Sequence, residues 1–372
     1  MTVVVKLLLV PFWLVRIFTR AKSFRDNPIL ASRVLNTLGL HVLRVVLAHV
    51  IIGFRRLCLS GLVEPSQRQA FRRDGFVAVE DLLLPEDFAR LVTEIRSCDA
   101  PVMGFTQGDT QTRHVVLDTA VLDRLACCRR TISDPRIVRL LKYAAASNTR
   151  SHFLIENIKG NLPGTGTDPQ KELHADTFHP AMKAWVYLHD VAEDRSAFRY
   201  VRGSNRLTWR RLKWEYRRSL TAVRDRNPHG AEGSFRVSEA ELTEMGLPAP
   251  STLAVRANTL VVANINGFHC RGPSRDDSAR LALYTGRRAN PFNPFIGFDL
   301  EFTHKARERI ARMTLRVRMA LFKGQTPDDG RSNLQILDLT SICDGVDSRF
   351  FHLHADAEHR PQSAAARKGF ST

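Results

Sequence analysis

Apolar and polar residues change rhythm along this chain, and the changes divide it. Apolar runs at 7–15 and 45–54 are interrupted, the first by Pro11 and the second by His49, and they read as helices. At 66–73 and 85–97 the spacing is again helical. Pro85 suits a first turn, and Glu86 and Asp87 favour its unpaired N–H groups. Between these two, 77–84 is a strand candidate. The stretch 119–146 is helical in spacing with a break near Pro135. From 151 the period shortens to two. Residues 151–158 alternate, 181–190 read as a half-buried strand, and 258–264 and 280–285 as core strands. LTWRRLKWEYRR at 207–218 reads as an amphipathic helix inserted between core strands, followed by an irregular insertion over 219–250 with a short helix near 238–245. Ala306, Ile310, Met313, Val317 and Ala320 form one stripe of a basic helix at about 303–322. A short disordered tail is expected at the C-terminus. The class is mainly β with flanking α.

Charge adds a partner class. The 372 residues carry a formal net charge of +17, which favours anionic partners: phosphates, nucleic acid or an acidic membrane surface. The first sixty residues hold nine basic residues and one acidic one. Neither apolar run reaches the ~20 clean residues of a membrane-spanning helix, and no small-x-small cleavage site follows. Such a segment suits helices lying in a membrane interface; the alternative is that they pack onto the rest of the chain. The six cysteines form no CxxC pair and no zinc spacing, as expected for reduced thiols in the cytoplasm. Cys270 reads as a small packing residue.

The candidate chemistry begins at Glu172-Leu173-His174-Ala175-Asp176-Thr177-Phe178-His179. In a strand, positions i and i+2 share a face, so His174 and Asp176 project the same way. One more imidazole completes a two-His, one-carboxylate set that leaves three octahedral positions open, which suits non-haem Fe(II) with a co-substrate and O2. His269 ends the apolar run 258–265, and Arg280, eleven positions on, opens another strand-like run. A second HxD, His354-Ala355-Asp356, is followed only by tail residues. His179 is a rival ligand, but at i+5 it faces away from His174. Lys183, Trp185 and Tyr187 share a face that lines either the site or the core. The sequence contains no GxSxG and no HExxH.

The pattern HxD…H…R resembles the Fe(II)/2-oxoglutarate oxygenases, in particular the phytanoyl-CoA dioxygenase-like family. Phe71-Arg72-Arg73-Asp74-Gly75-Phe76, Leu84-Pro85-Glu86, Trp185-Val186-Tyr187-Leu188 and Phe198-Arg199-Tyr200-Val201-Arg202-Gly203-Ser204 carry the same resemblance. It departs at Arg202-Gly203-Ser204-Asn205, where the family usually has Pro-Gly-Ser-His, and at Ala282, where many relatives carry Ser. The resemblance implies a double-stranded β-helix (jelly roll) over about 66–300, with the helical insertion at 207–250. Residues 1–60 form a separate basic, apolar segment before it, and 301–372 a basic helix and tail after it. It implies Fe(II), 2-oxoglutarate and O2. His174, Asp176 and His269 are the expected metal ligands and catalytic set. Arg280 is the expected anchor for the far carboxylate of 2-oxoglutarate, since a guanidinium binds a carboxylate bidentately. Trp185 is expected beside that co-substrate. Asp176 argues for hydroxylation, because halogenating relatives replace this carboxylate with a small residue. The loop 160–170, rich in Gly and Pro, lies where a lid is expected.

The function expected is hydroxylation of an aliphatic C–H in an anionic, lipid-linked substrate: an acyl thioester, a phospholipid or a lipopolysaccharide precursor. The enzyme is expected in the cytoplasm, free or peripheral on the inner face of the cytoplasmic membrane. The alternatives are the same chemistry on a soluble small molecule or nucleic acid, the latter disfavoured, or a non-catalytic peripheral membrane protein with a vestigial site. A chain starting near residue 61 is expected to stay soluble and to turn over 2-oxoglutarate.

Overall fold

The period-two stretches pair into two antiparallel sheets. The structure is a computed structural model that describes residues 3–162, 166–225, 227–275 and 279–300, together with 306, 309, 310, 313 and 333–337. Its strands are β1 (Phe76–Val79), β2 (Val102–Gln107), β3 (Thr110–Val116), β4 (Leu154–Lys159), β5 (Met182–Tyr187), β6 (Phe198–Tyr200), β7 (Ser251–Leu253), β8 (Thr259–Asn264), β9 (His269–Arg271), β10 (Ala279–Arg287) and β11 (Asn333–Leu337). The larger sheet runs β1-β8-β5-β10-β4-β3-β2-β11 and the smaller β7-β6-β9. Neither closes into a barrel.

Alternation decides which way each strand faces. Ala184, Val186, Leu260, Val262, Leu281 and Leu283 turn outward and pack in one core with Leu91 and Ile95 of the Pro85–Arg96 helix and Ile137 and Leu140 of the Pro135–Ala144 helix. Trp185, Tyr187, Val261, Ala263 and Ala282 turn inward against Phe198, Tyr200 and Leu253 of the smaller sheet. The two sheets are the facing walls of a jelly roll, and the candidate site lies between them.

Several boundaries differ from the hydrophobic pattern. The strand expected over 77–84 stops at Val79, because Asp81 takes φ 48° and the chain turns so that Leu82 donates to the Asn258 carbonyl. The helical stretch 119–146 is three helices, the last beginning at Pro135. The β2–β3 hairpin was not visible in the pattern: Thr and Gln, not large apolar residues, occupy most of β3's first half. In the 207–218 region the helix is Trp209–Thr221, with Trp214 fully buried and Trp209 exposed. Of the C-terminal stripe, Ala306, Ile310 and Met313 are exposed; Val317, Ala320 and the second HxD lie outside the described residues.

The first sixty residues are built into this body. The Leu40–Cys58 helix buries His41, Arg44, Val45, Ala48, Ile52 and Arg55 along one face. His41 Nε2 lies 2.9 Å from Glu215 Oε2, and Arg211 donates twice to Glu215 Oε1, all three side chains being buried. Arg44 donates to the carbonyls of Ile17, Thr19 and Ala21, which pins the strap that follows the Val3–Ile17 helix. Arg55 donates to those of Ala146, Asn290 and Asn293. Buried charges persist only when satisfied in this way. The same helix exposes Leu43, Leu47, Val50, Phe54 and Leu57 on its other face, spaced as an apolar ladder. Packing inward and presenting apolar surface outward are therefore both realised. Among the described residues no helix is long and apolar enough to cross a membrane.

Candidate metal centre

His174 does not sit on a regular strand. It forms an isolated antiparallel bridge with His269, and each backbone N–H donates to the other's carbonyl, at 3.0 and 2.9 Å. Residues directly opposite in such a pair project their side chains the same way, so the two imidazoles meet with ring centroids 4.7 Å apart. Asp176 N–H donates to the Ile265 carbonyl, which brings its carboxylate to the same place. The common direction of His174 and Asp176 is thus set by pairing to the segment 265–269 and not by a strand over 172–179, a correction to the sequence expectation. Gly203, at φ 77°, turns the chain so that Ser204 Oγ donates to the Val201 carbonyl and accepts from Phe268 N–H, fixing the residue before His269.

The donor set fits a divalent metal. Nδ1 of His174 donates to the Glu172 carbonyl and Nδ1 of His269 to the Gly267 carbonyl. That leaves both Nε2 lone pairs directed inward, buried and without a hydrogen-bond partner. Asp176 Oδ1 lies 3.3 Å from His174 Nε2 and 3.8 Å from His269 Nε2. The three ligand atoms fall within 4.8 Å of one another. Burial and then the neighbouring His174 push the His269 imidazole down to about 3, so it is neutral near pH 7. Burial alone would raise the Asp176 carboxyl, but Lys183 and the two imidazoles outweigh it and hold the group well below the usual carboxylate range. Two imidazoles and one carboxylate are the donors that non-haem Fe(II) takes.

The two oxygens of Asp176 have different surroundings. Oδ1 faces the imidazoles, whereas Oδ2 lies 2.7 Å from Lys183 Nζ and 3.3 Å from an Arg288 nitrogen. Lys22, from the N-terminal strap, donates to the Asp176 backbone carbonyl at 2.7 Å. Burial and then Arg288 lower its ammonium to about 8. Lys183 was among the sequence candidates for this face. Lys22 and Arg288 were not, because nothing in a sequence brings a residue 154 positions away onto an HxD motif.

Arg280 is buried at the start of β10, on the inward face with Ala282 and Tyr284. It donates to the Ser196 carbonyl at 2.9 Å, lies 3.6 Å from Glu156 Oε1, and its guanidinium carbon sits 5.9 Å from the centre of the Trp185 ring. Trp185 is buried, paired with Tyr284 across β5–β10, and donates through Nε1 to Glu156. Glu156, opposite Ala282 on β4, was missed in the sequence. Burial would raise its carboxyl, but His114, Arg280 and Arg271 bring it down to about 2. His179 points elsewhere: burial lowers it to about 3, and its Nδ1 donates to the Pro180 carbonyl. The loop 160–170 is pinned at its far end by Asp168, which takes a hydrogen bond from Arg271 at 2.6 Å; residues 163–165 are not described.

Two facing sheets bring an HxD pair against a distal His, the arrangement expected of a non-haem iron oxygenase of the jelly-roll type. Residues 71–236 match the model of the phytanoyl-CoA dioxygenase (PhyH) family. Over this stretch the chain is similar to the phytanoyl-CoA dioxygenase-like Fe(II)/2-oxoglutarate-dependent oxygenases. Solved structures similar to it include the non-haem α-ketoglutarate-dependent epimerase SnoN from nogalamycin biosynthesis, at 24% identity and TM-score 0.43, covering 61% of this chain and 82% of that one. HygX from Streptomyces hygroscopicus, with nickel and 2-oxoglutarate bound, is 18% identical with TM-score 0.38, covering 60% and 86%. The carbocyclase SnoK from nogalamycin biosynthesis is 16% identical with TM-score 0.38, covering 60% and 83%. No curated protein matches the sequence.

Proposed function

We propose that this 2-oxoglutarate-dependent oxygenase hydroxylates an aliphatic C–H of an anionic, lipid-linked substrate while resting on the inner face of the cytoplasmic membrane. The observation that carries the reading is the exposed ladder Leu43, Leu47, Val50, Phe54 and Leu57 on a helix whose other face is locked to the catalytic body. Leu8, Phe12, Val15 and Phe18 add exposed apolar surface in the same basic segment. An apolar face flanked by cations is what an acidic lipid surface attracts.

His174, Asp176 and His269 would hold Fe(II), which with 2-oxoglutarate and O2 supplies the oxidising chemistry. Lys183 and Arg288 hold Oδ2 of Asp176 and leave Oδ1 facing the imidazoles. Arg280 would bind the far carboxylate of 2-oxoglutarate, with Trp185 as the wall beside it. Its burial and its contact with the Trp185 ring support that role. The Asp176 carboxylate favours hydroxylation. The test is succinate release from 2-oxoglutarate by the Fe(II)-loaded full chain, screened against acyl-CoA, phospholipid and lipopolysaccharide-precursor mixtures. Stimulation only by soluble, non-lipid compounds would overturn the lipid assignment.

A further inference from the structure

The inward positions of β5 and β10 beyond the metal ligands carry charge where apolar residues would otherwise fill the wall. Lys183 pairs with Gly286 across the two strands, and Arg288 follows β10. A space remains at this end of the sheet. It forms a cavity of about 600 Å³ lined by Arg20, Lys22, Lys183, Arg287 and Arg288, with Met182, Leu154, Ile265 and Tyr284 as its apolar wall. Among the described residues no carboxylate lines it. The nearest acidic groups are Asp176, which belongs to the metal centre, and Glu232, which is paired with Arg25 at 3.1 Å.

Two of the five cations come from the N-terminal strap. Arg44 fixes that strap through the carbonyls of Thr19 and Ala21, and Arg20 donates to the Arg288 carbonyl at 3.2 Å. Lys22 is held by the Asp176 carbonyl. The strap is therefore one wall of the cavity. With a divalent ion at Asp176 the local balance becomes more positive still. Like charges gathered at one cavity repel one another, and the arrangement is stabilised when an anion is bound there.

We propose that this cavity is the substrate's anion subsite, that it takes a phosphate-type group, and that Arg20 and Lys22 complete it from the N-terminal strap. The proposal rests on the reading of the chain as an oxygenase with an anionic substrate and names the chemistry of that anion. A flexible cluster of Lys and Arg accepts a tetrahedral dianion through several charge-assisted hydrogen bonds. The site abuts Asp176, so a group seated there lies beside the metal centre.

The test uses the full chain loaded with Mn(II) in place of iron. Binding of inorganic phosphate and of dihexanoyl phosphatidic acid is measured by titration calorimetry, for the native protein and for the double variant Arg20→Gln/Lys22→Gln. Each lost charge-assisted contact should weaken binding by about tenfold or more. Phosphate should also slow phenylglyoxal modification of Arg20 and Arg288 in the native protein, a readout that does not depend on the variant folding. Tighter binding of phosphatidic acid than of phosphate assigns the group to a lipid headgroup; equal affinity assigns it to a soluble phosphomonoester, and both support the subsite. Unchanged affinity in a folded double variant, or no protection of the two arginines, overturns it. Succinate release is followed in parallel with Fe(II). Its loss alone counts against the oxygenase reading, whereas its persistence without phosphate binding counts against the subsite alone.

Discussion

At the scale of single residues, the metal centre depends on two lone pairs that have no other use. His174→Ala or His269→Ala removes one of three candidate ligands, and either variant should lose Fe(II) binding in anaerobic titration. His179→Ala should keep it, since that ring is bonded to the Pro180 carbonyl and faces away. A His174 variant that keeps full iron affinity would move the centre elsewhere. Arg280 makes a different prediction. Removing one partner of a buried charge pair costs ~3–5 kcal/mol, so Arg280→Ala should weaken 2-oxoglutarate binding by roughly two to three orders of magnitude while iron stays bound. Normal 2-oxoglutarate affinity in that variant would leave Arg280 as no more than the partner of Glu156.

At the scale of elements, the sequence was most legible where one face is fully apolar. Strands β5, β8 and β10 and the Pro85–Arg96 helix stood out because burial demands it of every second or every third and fourth residue. The β2–β3 hairpin did not, because its half-buried Thr and Gln positions carry no such signal. The candidate ligands His174, Asp176 and His269 could be read from spacing and family pattern, but the bridge that aligns the two imidazoles could not. Lys22, Arg288 and Glu156 were invisible for the same reason: long-range pairing creates their roles. One such pairing has a pH signature. His49, on the Leu40–Cys58 helix, donates from Nδ1 to the Val45 carbonyl, and its Nε2 accepts from the Asn266 amide at 3.0 Å. Burial lowers its pKa to about 4, so the folded chain holds it neutral. Below the ordinary value near 6.5 the unfolded chain takes a proton that the folded chain refuses, and stability falls as pH drops from 6.5 towards 4. The loss between pH 7 and 5 should be about 2 kcal/mol for this residue. Chemical-denaturation midpoints at the two pH values should therefore differ less in His49→Gln than in the native protein. An equal drop in both would rule the residue out as the source.

At the scale of the whole molecule, the N-terminal segment both holds the fold together and faces outward. Deleting residues 1–60 would strip His41 from Glu215, expose the core beneath Val45, Ala48 and Ile52, and remove Lys22 from the metal centre's side. Losing a buried hydrogen bond to a charged group costs roughly 1.5–3 kcal/mol, uncovering each large apolar side chain of the core costs about 1.5–3 kcal/mol more, and a domain's whole stability is about 5–15 kcal/mol. A chain starting at residue 61 should therefore lack a cooperative thermal transition, against the expectation drawn from the sequence that it would stay soluble and active. The membrane reading consequently needs variants that leave the inner face alone. Leu47→Asp/Phe54→Asp changes two exposed side chains of the outer ladder. Each large apolar side chain contributes about 1.5–3 kcal/mol when buried, so the pair should weaken co-sedimentation with anionic vesicles by roughly a hundredfold or more while the thermal midpoint and succinate release without lipid stay unchanged. High salt should remove the native protein only in part, because it screens the cations but not the apolar contact. If the double variant sediments with vesicles as well as the native chain does, the ladder is not the membrane contact, and the basic C-terminal stripe with Ile310 and Met313 exposed becomes the next surface to alter.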